Sequence, residues 1–466
     1  MSPVVLTALF LTAWEIAGRR LPALAAGPWP RVSRAVTGAA ALVLVAAFAG
    51  QLLLTAYQAG HDGSPPAWVS RTPFLFVDEA FPFGAGHAAI MAAALALVLL
   101  QTAGLAVLIA ALTQPSGGPA GPAPARLAWS LVPFTAGVLA VLALWSPAVS
   151  SGDVFGYVGL GMLGPHPFAR PPHFFSGEYA RVFDAWHLRP TIYGPLWTAL
   201  NAAVVSLGAG FAGKVLALRL FGVVLLSAFV ALAYALTRSR AVTAATALNP
   251  MLWFQFVTNA HNDAYGLCLL AAALLLVQRG RRLWAVVLVA AAGCVKFPFV
   301  VLGAVLFARE GPRRAILCTV AAAALCFAAS ALFAGRPYLD ALLVTARTRA
   351  AFTDPVLNEM KTALSLATLA VTAFILLRGR FPVFAGWLYT GLAPVLFPWY
   401  LAWAVVYALA SRTLLVGTLL ALPVLATLSD GIYHFETVAL VVPVAALAWI
   451  ARGLRAEPRI AASAIR

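Results

Sequence analysis

The sequence predicts an all-α protein that crosses a lipid bilayer many times. Of its 466 residues, 62% are hydrophobic and only 10% are charged, whereas soluble globular domains are about 45–50% apolar and about 25% charged. The mean hydropathy is +0.92. Apolar runs of about 20 residues, long enough to cross a bilayer core of about 30 Å as a helix, recur along the whole chain. These observations exclude a water-soluble enzyme.

The apolar segments define the expected order of the helices. Several are short, and proline interrupts others at Pro250, Pro298 and Pro398. Broken helices at membrane depth are tolerated only where protein or a watery cavity receives the freed backbone groups. We therefore expect about 11 to 14 spans and some half-helices. The segments cover residues 3–17, 35–57, 88–113, 127–149, 195–209, 214–236, 241–257, 260–278, 283–308, 314–335, 361–377, 382–410, 413–428 and 437–450.

Three regions are expected along the chain. Residues 1–126 form N-terminal transmembrane helices, beginning with a retained first helix, because a basic stretch follows the apolar one where a secretory signal has the opposite order. Residues 127–410 form a core that carries most of the polar motifs. Residues 411–466 form C-terminal transmembrane helices and a basic cytoplasmic tail.

The basic residues predict the orientation in the membrane. The net charge of +16, from 31 Lys and Arg against 15 Asp and Glu, lies mostly in short loops, so the positive-inside rule explains it better than nucleic-acid binding does. Loops 58–87, 150–194, 336–360 and 429–436 then face outward. One conflict remains, since two crossings between 195 and 236 would place Arg238 outside; either 195–209 lies along the surface or a crossing is misdrawn. The cytoplasmic clusters are Arg19/Arg20/Arg31/Arg34, Arg238/Arg240, Arg279/Arg281/Arg282, Arg309/Arg313/Arg314, Arg378/Arg380 and Arg452/Arg455/Arg459.

The longest polar stretch, residues 150–194, is expected to carry function. Loops longer than about 12–15 residues without clear structure are usually functional or disordered. This loop is rich in aromatic residues, which favours short interfacial helices on the outer leaflet over a disordered linker. The four cysteines, by contrast, all lie inside apolar runs without metal-binding spacing, and we interpret them as small core residues.

Two acidic positions are candidates for chemistry. Asp153 follows the run 127–149 at the expected outer membrane boundary, and is either a general base for a hydroxyl or a carboxylate that marks a helix start. His261, Asn262 and Asp263 lie between two apolar runs. Such polar residues are expensive near a bilayer unless they face a cavity or one another, although a solvated turn is the simpler interpretation.

Lys296 is the third candidate. It is one of only three lysines and lies inside the run 283–308, just before Phe297-Pro298. A lysine at a helix centre costs about 2.5–3.5 kcal/mol on insertion scales. We expect the run to bend there and present the ammonium group to a polar cleft, with a phosphate as its partner; the alternative is a salt bridge to a membrane carboxylate.

Aromatic residues flank these positions. Tyr193 precedes Gly194-Pro195, and Trp399 and Tyr400 follow Pro398; each alone is typical of an interfacial anchor as much as of a ligand. The chain has no nucleotide-binding motif of the P-loop or dinucleotide type and no soluble domain that would hold a nucleotide. Any activated substrate is therefore expected through the membrane or from outside.

Taken in order, these motifs resemble the polyprenol-phosphate-mannose-dependent mannosyltransferases, which are integral-membrane GT-C glycosyltransferases, and most of all the bacterial α-(1→6)-mannopyranosyltransferases that build lipoglycan backbones. The resemblance covers about residues 127–410. The matching pieces are SGDVFGYVGLG (151–161), GPHPF (164–168), IYGPLW (192–197), ALNPMLW (247–253), NAHNDAYGL (259–267), VKFP (295–298) and FPWYLAW (397–403).

The resemblance implies a GT-C fold and an enzyme of the plasma membrane whose active site faces outward. It would transfer a sugar, expected to be mannose with glucose and arabinose left open, from a polyprenyl-phosphate donor to a glycan or glycolipid acceptor with inversion at the anomeric carbon. Asp153 is expected as the base, no metal ligands are assigned, and a divalent cation is left open. A transporter or flippase of lipid-linked sugars is the alternative. The donor phosphate is assigned to Lys296, Arg347 and Arg349, and the substrates to Tyr157, His166, Tyr193, His261, Asn262, Asp263, Trp399 and Tyr400.

Overall fold

The protein is an all-α polytopic membrane protein. In a computed structural model, five helices are long and apolar enough to cross a bilayer, and a sixth span arises if one bent pair of segments is counted together. The first and last expected helices lie outside the described residues, so the total of about 11 to 14 spans stays a prediction. The structure describes residues 32–61, 75–76, 85–113, 123–146, 148–149, 153–164, 168, 191–341, 355–382, 385–392, 397–412, 415–431 and 450.

The described N-terminal half contains four long helices, with two shorter helices between the third and the fourth. A two-residue parallel ladder pairs Leu75 with Ala148 and Phe76 with Val149. The elements are α1 (Arg34–His61), β1 (Leu75–Phe76), α2 (Ala85–Thr113), α3 (Ala123–Trp145), β2 (Ala148–Val149), α4 (Asp153–Met162), α5 (Pro195–Ser206) and α6 (Gly210–Thr237).

The second half contains several interrupted helices. Three short 3-10 segments, Val305–Glu310, Ala385–Leu392 and Pro398–Ala402, and one π-helical turn, Phe254–Thr258, lie between them. The helices are α7 (Arg240–Ala247), α8 (Pro250–Trp253), α9 (Asp263–Gln278), α10 (Arg282–Gly293), α11 (Pro298–Ala304), α12 (Pro312–Phe333), α13 (Pro355–Arg378), α14 (Trp403–Ser411) and α15 (Leu415–Gly431).

Local sequence explains where several of these helices begin. Proline at the first helical position starts α5, α8, α11 and α12, where its missing N–H would have had no intrahelical partner. The side chain of Asn249 caps α8 by accepting from the backbone N–H groups of Met251 and Leu252. Ser239 caps α7 in the same way through Val242 N–H.

The length of helix α5 favours one of the two explanations for the conflict in the predicted topology. This helix has 12 residues and is therefore about 18 Å long, too short to cross a bilayer core of about 30 Å. Helix α6 has 28 residues and is long enough. A position of α5 along the membrane surface, one of the two expected explanations, would leave one crossing between residues 195 and 238 and would keep Arg238 on the side of the other basic turns.

Two features of the packing position the site. Helix α9 packs against α6 and α10, and α4 packs against α5. Helix α9 has 16 residues, so its first residue lies about 24 Å from the basic turn Arg279–Arg282 at its other end. Helix α10 leads back from that turn, so the ends that carry Asp263 and Lys296 meet far from the arginines.

Candidate functional site

The His-Asn-Asp motif lies at a sharp bend between two apolar segments. The chain direction bends by 118° between the segments Pro250–Thr258 and Asp263–Gln278. Ala260 adopts a left-handed backbone conformation with φ of 51°, which is unfavourable for a residue with a Cβ and typical of functional sites. His261 N–H donates to the carbonyl of Gln255 over 3.0 Å and so anchors the turn. The motif is buried, which excludes the solvated turn that was the simpler interpretation.

Lys296 lies in the break between α10 and α11, as the Phe297-Pro298 pattern predicted. Its ammonium group donates to Asp263 Oδ2 over 2.6 Å. The other oxygen of Asp263 accepts from Trp403 Nε1–H over 2.8 Å. The salt bridge that was the alternative for Lys296 is therefore present, and Asp263, whose side chain is fully buried, has partners on both oxygens.

Aromatic rings enclose the same ammonium group. Lys296 Nζ lies 4.8 Å from the centre of the Tyr400 ring and 5.5 Å from that of Tyr193. Contacts between a cation and an aromatic face are worth about 0.5–2 kcal/mol each, more where water is excluded. The lysine thus has partial compensation for its burial, and one side chain from each of three motifs converges on it.

The segment before α5 is attached to the break that carries Lys296. Gly194 N–H donates to the carbonyl of Val295 over 3.1 Å, and Leu196 N–H donates to that of Cys294 over 3.1 Å. A Cβ at Gly194 would lie 2.2 Å from the carbonyl oxygen of Cys294. Glycine is therefore required here by the close approach of the two backbones, and this contact places Tyr193 beside Lys296.

Replacing Gly194 by alanine tests this attachment. Because the added methyl group overlaps backbone rather than a movable side chain, we expect Gly194→Ala to lower the free energy of unfolding by about 1–3 kcal/mol. Thermal unfolding in detergent measures the effect. Gly137→Ala is the matched control, since a Cβ there meets nothing within 4 Å and alanine is favourable inside a helix. Equal stability of the two variants would contradict the proposed role of Gly194.

Asp153 is the first residue of α4 and is partly exposed. Its side chain is 27% exposed, and its Oδ2 lies 3.3 Å from Nδ1 of the buried His261. A helix N-terminus stabilises a carboxylate through the helix dipole. The position therefore agrees with a helix-start residue, but the contact with the His-Asn-Asp motif also brings Asp153 into the site.

A stack of three rings supports this histidine. His261 stacks on Trp399 with ring centres 3.8 Å apart, and Trp399 stacks on Phe397 at 4.3 Å.

Nearby, the hydroxyl groups of Tyr157 and Tyr193 lie 3.5 Å apart. Burial, followed by the negative charges around them, raises the pKa of both phenols well above the usual range. Both therefore stay protonated and can act as hydrogen-bond donors.

Arg219 is a site-positioning residue that sequence reasoning missed. It is fully buried in α6 and donates to the carbonyls of Leu144 and Ser146, at the end of α3, and to that of Thr258, just before the motif. Helix α6 approaches this turn closely because Gly222, one turn further on, has no Cβ to meet the carbonyl of Phe256. An arginine inside an apolar helix is as costly as Lys296, so the same argument would have identified it.

The structure thus brings together most of the predicted site. Asp153, Tyr157, Tyr193, Lys296 and the aromatic pair Trp399 and Tyr400 surround the motif 261–263. His166, Arg347 and Arg349 lie outside the described residues, as do the other carboxylates of the long loop, Glu178 and Asp184. In the described part of the chain, no three or more His, Cys, Asp and Glu side chains are grouped so that they could hold a metal ion.

Comparison with known proteins identifies one family. The family model described as alpha-(1→6)-mannopyranosyltransferase, N-terminal domain, matches residues 44–309. That range contains α4, α9 and the break with Lys296, and ends before the segment with Trp399. No curated protein and no solved structure matches the chain.

Proposed function

The chain belongs to the alpha-(1→6)-mannopyranosyltransferase family, and from this premise we propose that it transfers mannose from a polyprenyl-phosphate donor to a glycan or glycolipid acceptor. Membership makes it a mannosyltransferase-type glycosyltransferase in a membrane. The observation that carries the finer proposal is the convergence of a partly exposed carboxylate, a buried ammonium group and a broken apolar helix at one end of the bundle.

The donor phosphate is assigned to Lys296. An ammonium group has three N–H donors, of which Asp263 accepts one. A phosphate oxygen accepts a second in a charge-assisted hydrogen bond, which is stronger than a neutral one. A lipid donor also explains why a cation is retained beside apolar helices, since the phosphate would lie at the interface with its tail in the lipid. Arg347 and Arg349 stay predicted as further phosphate ligands.

The base is assigned to Asp153 because of the contrast between two carboxylates. Asp263 is fully buried, with Lys296 and Trp403 on its oxygens. Asp153 is 27% exposed and stands at the start of a helix. A general base must reach the proton that it removes. Asp153 meets that requirement, and Asp263 instead compensates the charge of Lys296.

The proposed reaction is a single inverting displacement. The acceptor oxygen forms a bond to the anomeric carbon while the bond from that carbon to the phosphate oxygen breaks. The bonding electrons leave with the polyprenyl phosphate, and the acceptor proton passes to Asp153. No covalent enzyme intermediate is needed when the attacking and leaving groups lie on opposite faces of the sugar.

Transfer from a labelled donor tests the function. Purified protein would be incubated with polyprenyl-phosphate mannose, glucose or arabinose, each labelled in the sugar, together with glycan and glycolipid acceptors. We expect label in the acceptor only with the mannose donor, as an α-linked product. Movement of intact donor across a vesicle membrane without product would contradict the proposal and favour a transporter.

The site is proposed to face the outside of the plasma membrane. By the positive-inside rule the basic turns lie on the cytoplasmic side. The turn Arg279–Arg282 joins one end of α9 to one end of α10, and the site residues lie at the other ends of these two helices. The acceptor would then approach from the extracytoplasmic side, next to the loop 150–194.

Cysteine labelling tests this orientation. Single cysteines at Ser176, in the long loop, and at Arg281, in an exposed basic turn, are expected to react with a membrane-impermeant reagent from opposite faces. The background carries Cys318→Ser, because the other three native cysteines are buried and Cys318 is partly exposed. Reaction of both positions from one face would show that the orientation is wrong.

A further inference from the structure

His261 was predicted as a substrate ligand, but its surroundings point to another role. The residue is 1% exposed, and its ring lies flat on Trp399 with ring planes 22° apart. One face of the imidazole is therefore covered by protein. A sugar that stacked on this histidine would have to use the opposite face, whereas the ring edge already faces the carboxylate of Asp153.

The geometry points to His261 as the positioning residue of the proposed base: its Nδ1–H donates to Asp153 Oδ2 and so orients the carboxylate that receives the acceptor proton. This inference rests on the proposed function, because it assigns His261 to the proton transfer assumed there. Nδ1 lies 3.3 Å from Oδ2, slightly longer than an ordinary N–H···O hydrogen bond. Such bonds in enzymes often shorten only when substrate is present.

Burial adds an energetic reason. Neither ring nitrogen of His261 has a hydrogen-bond partner of good geometry among the described residues. Leaving a buried polar group unsatisfied costs about 1–3 kcal/mol, so a small rotation that aligns Nδ1–H with Asp153 is favourable. The stack with Trp399, which is itself stacked on Phe397, covers one face of the ring and limits how far the ring can tip away.

The backbone directs the ring toward Asp153. The left-handed Ala260 reverses the chain immediately before His261, and the bond from His261 N–H to Gln255 holds the reversed turn. Arg219 joins this turn to the end of α3, which leads into α4 and Asp153. Histidine and carboxylate are thus held by two segments that are themselves fastened together.

The remaining charged and titratable groups near the pair do not replace this contact. Asp263 is compensated by Lys296. The phenols of Tyr157 and Tyr193 are close enough to feel the charge of Asp153, and both stay neutral. The phenol of Tyr400 is the third such group near Asp153. The contact on which the inference rests is the one between Nδ1 of His261 and Oδ2 of Asp153.

Three substitutions at His261 separate the possible roles. The side-chain nitrogen of asparagine occupies the place of Nδ1, that of glutamine reaches the place of Nε2, and phenylalanine keeps the stack but has no nitrogen. We expect His261→Asn to keep kcat within about tenfold of the native protein, while His261→Phe and His261→Gln lose about 10- to 100-fold without a change in either KM, since a base displaced by about 1 Å loses about that much. Phenylalanine outperforming asparagine would reduce His261 to a stacking residue, and a rise in KM would make it a substrate ligand.

A double-substitution cycle shows whether His261 acts through Asp153. In an Asp153→Asn background, His261→Phe is expected to cause less than a twofold further loss, because the group that it orients is already absent. An additive loss would overturn the inference. This result is distinct from failure of the proposed function, in which the native protein transfers no sugar from any donor.

A measurement that needs no turnover tests the role of His261 even if the native protein transfers no sugar. Water-soluble carbodiimide modifies protonated carboxyl groups, and mass spectrometry quantifies the product at Asp153 as a function of pH. An N–H donor favours the ionised carboxylate, so in His261→Phe the modification should extend to a higher pH than in the native protein and in His261→Asn. Identical profiles in all three proteins would overturn the inference.

Discussion

Asp153→Asn is expected to lower kcat by about a hundredfold or more while donor binding is retained. General-base catalysis is typically worth about 10²–10⁴-fold, and asparagine keeps the shape of the side chain but cannot take up the proton. Donor KM should change little, because the carboxylate contacts His261 rather than the ammonium group assigned to the phosphate. Initial rates with labelled polyprenyl-phosphate mannose at saturating acceptor measure the effect.

Two kinds of variant control this prediction. Asp340→Asn makes the same chemical change at an exposed position, in a pair with Arg336, and should keep the native rate. Glu178→Gln tests the competing carboxylate of the long loop. If Asp153→Asn stays near the native rate while Glu178→Gln is inactive, the base has been assigned to the wrong residue.

Lys296→Met is expected to raise donor KM by about 10- to 100-fold, the loss that corresponds to one charge-assisted hydrogen bond of about 1.5–3 kcal/mol. Lys296→Arg should lose less, since it keeps the charge. The single methionine variant also leaves Asp263 as an uncompensated buried charge, which destabilises proteins by about 3–5 kcal/mol. Its kinetics alone therefore do not separate phosphate binding from structural support.

The double variant Lys296→Met/Asp263→Asn separates the two roles. It removes both members of the ion pair, and asparagine still offers Trp403 an acceptor oxygen. We expect the fold to recover, measured by thermal unfolding, while donor KM stays high. Lys214→Met is the matched control, because Lys214 donates only to backbone carbonyls at the turn between α5 and α6 in the described structure. Native donor use by the double variant would reduce Lys296 to a partner of Asp263.

Much of the fold was predictable from composition and periodicity alone. Four long apolar runs became the helices α1, α2, α6 and α12 with bounds close to those expected. The break before Pro298 appeared where an expensive lysine met a proline. For segment 195–209 the pattern was insufficient, since a run of apolar residues does not by itself reveal whether a helix crosses the membrane or packs at its surface. The 12-residue length of α5 favours a position at the surface.

The residues that the structure brings together could be picked out from the sequence, but their contacts could not. Asp153, the motif 261–263 and Lys296 stood out because charged or polar groups are costly beside apolar runs. Trp403 carried no such signal, although it lies in the predicted motif, because an indole near a membrane is ordinary. Arg219 has the same costly position inside an apolar run, but it was not selected as a candidate.

The sequence by itself determined that the chain is a helical membrane protein and which family its motifs resemble. It also determined which polar residues lie at positions where burial beside apolar helices is energetically costly. Only the tertiary structure decided that Lys296 pairs with Asp263, 33 residues away along the chain, and that His261 meets Asp153. The physical reason is that insertion cost depends on a residue and its immediate neighbours, whereas charge compensation depends on which distant segments the packed helices bring within hydrogen-bond distance.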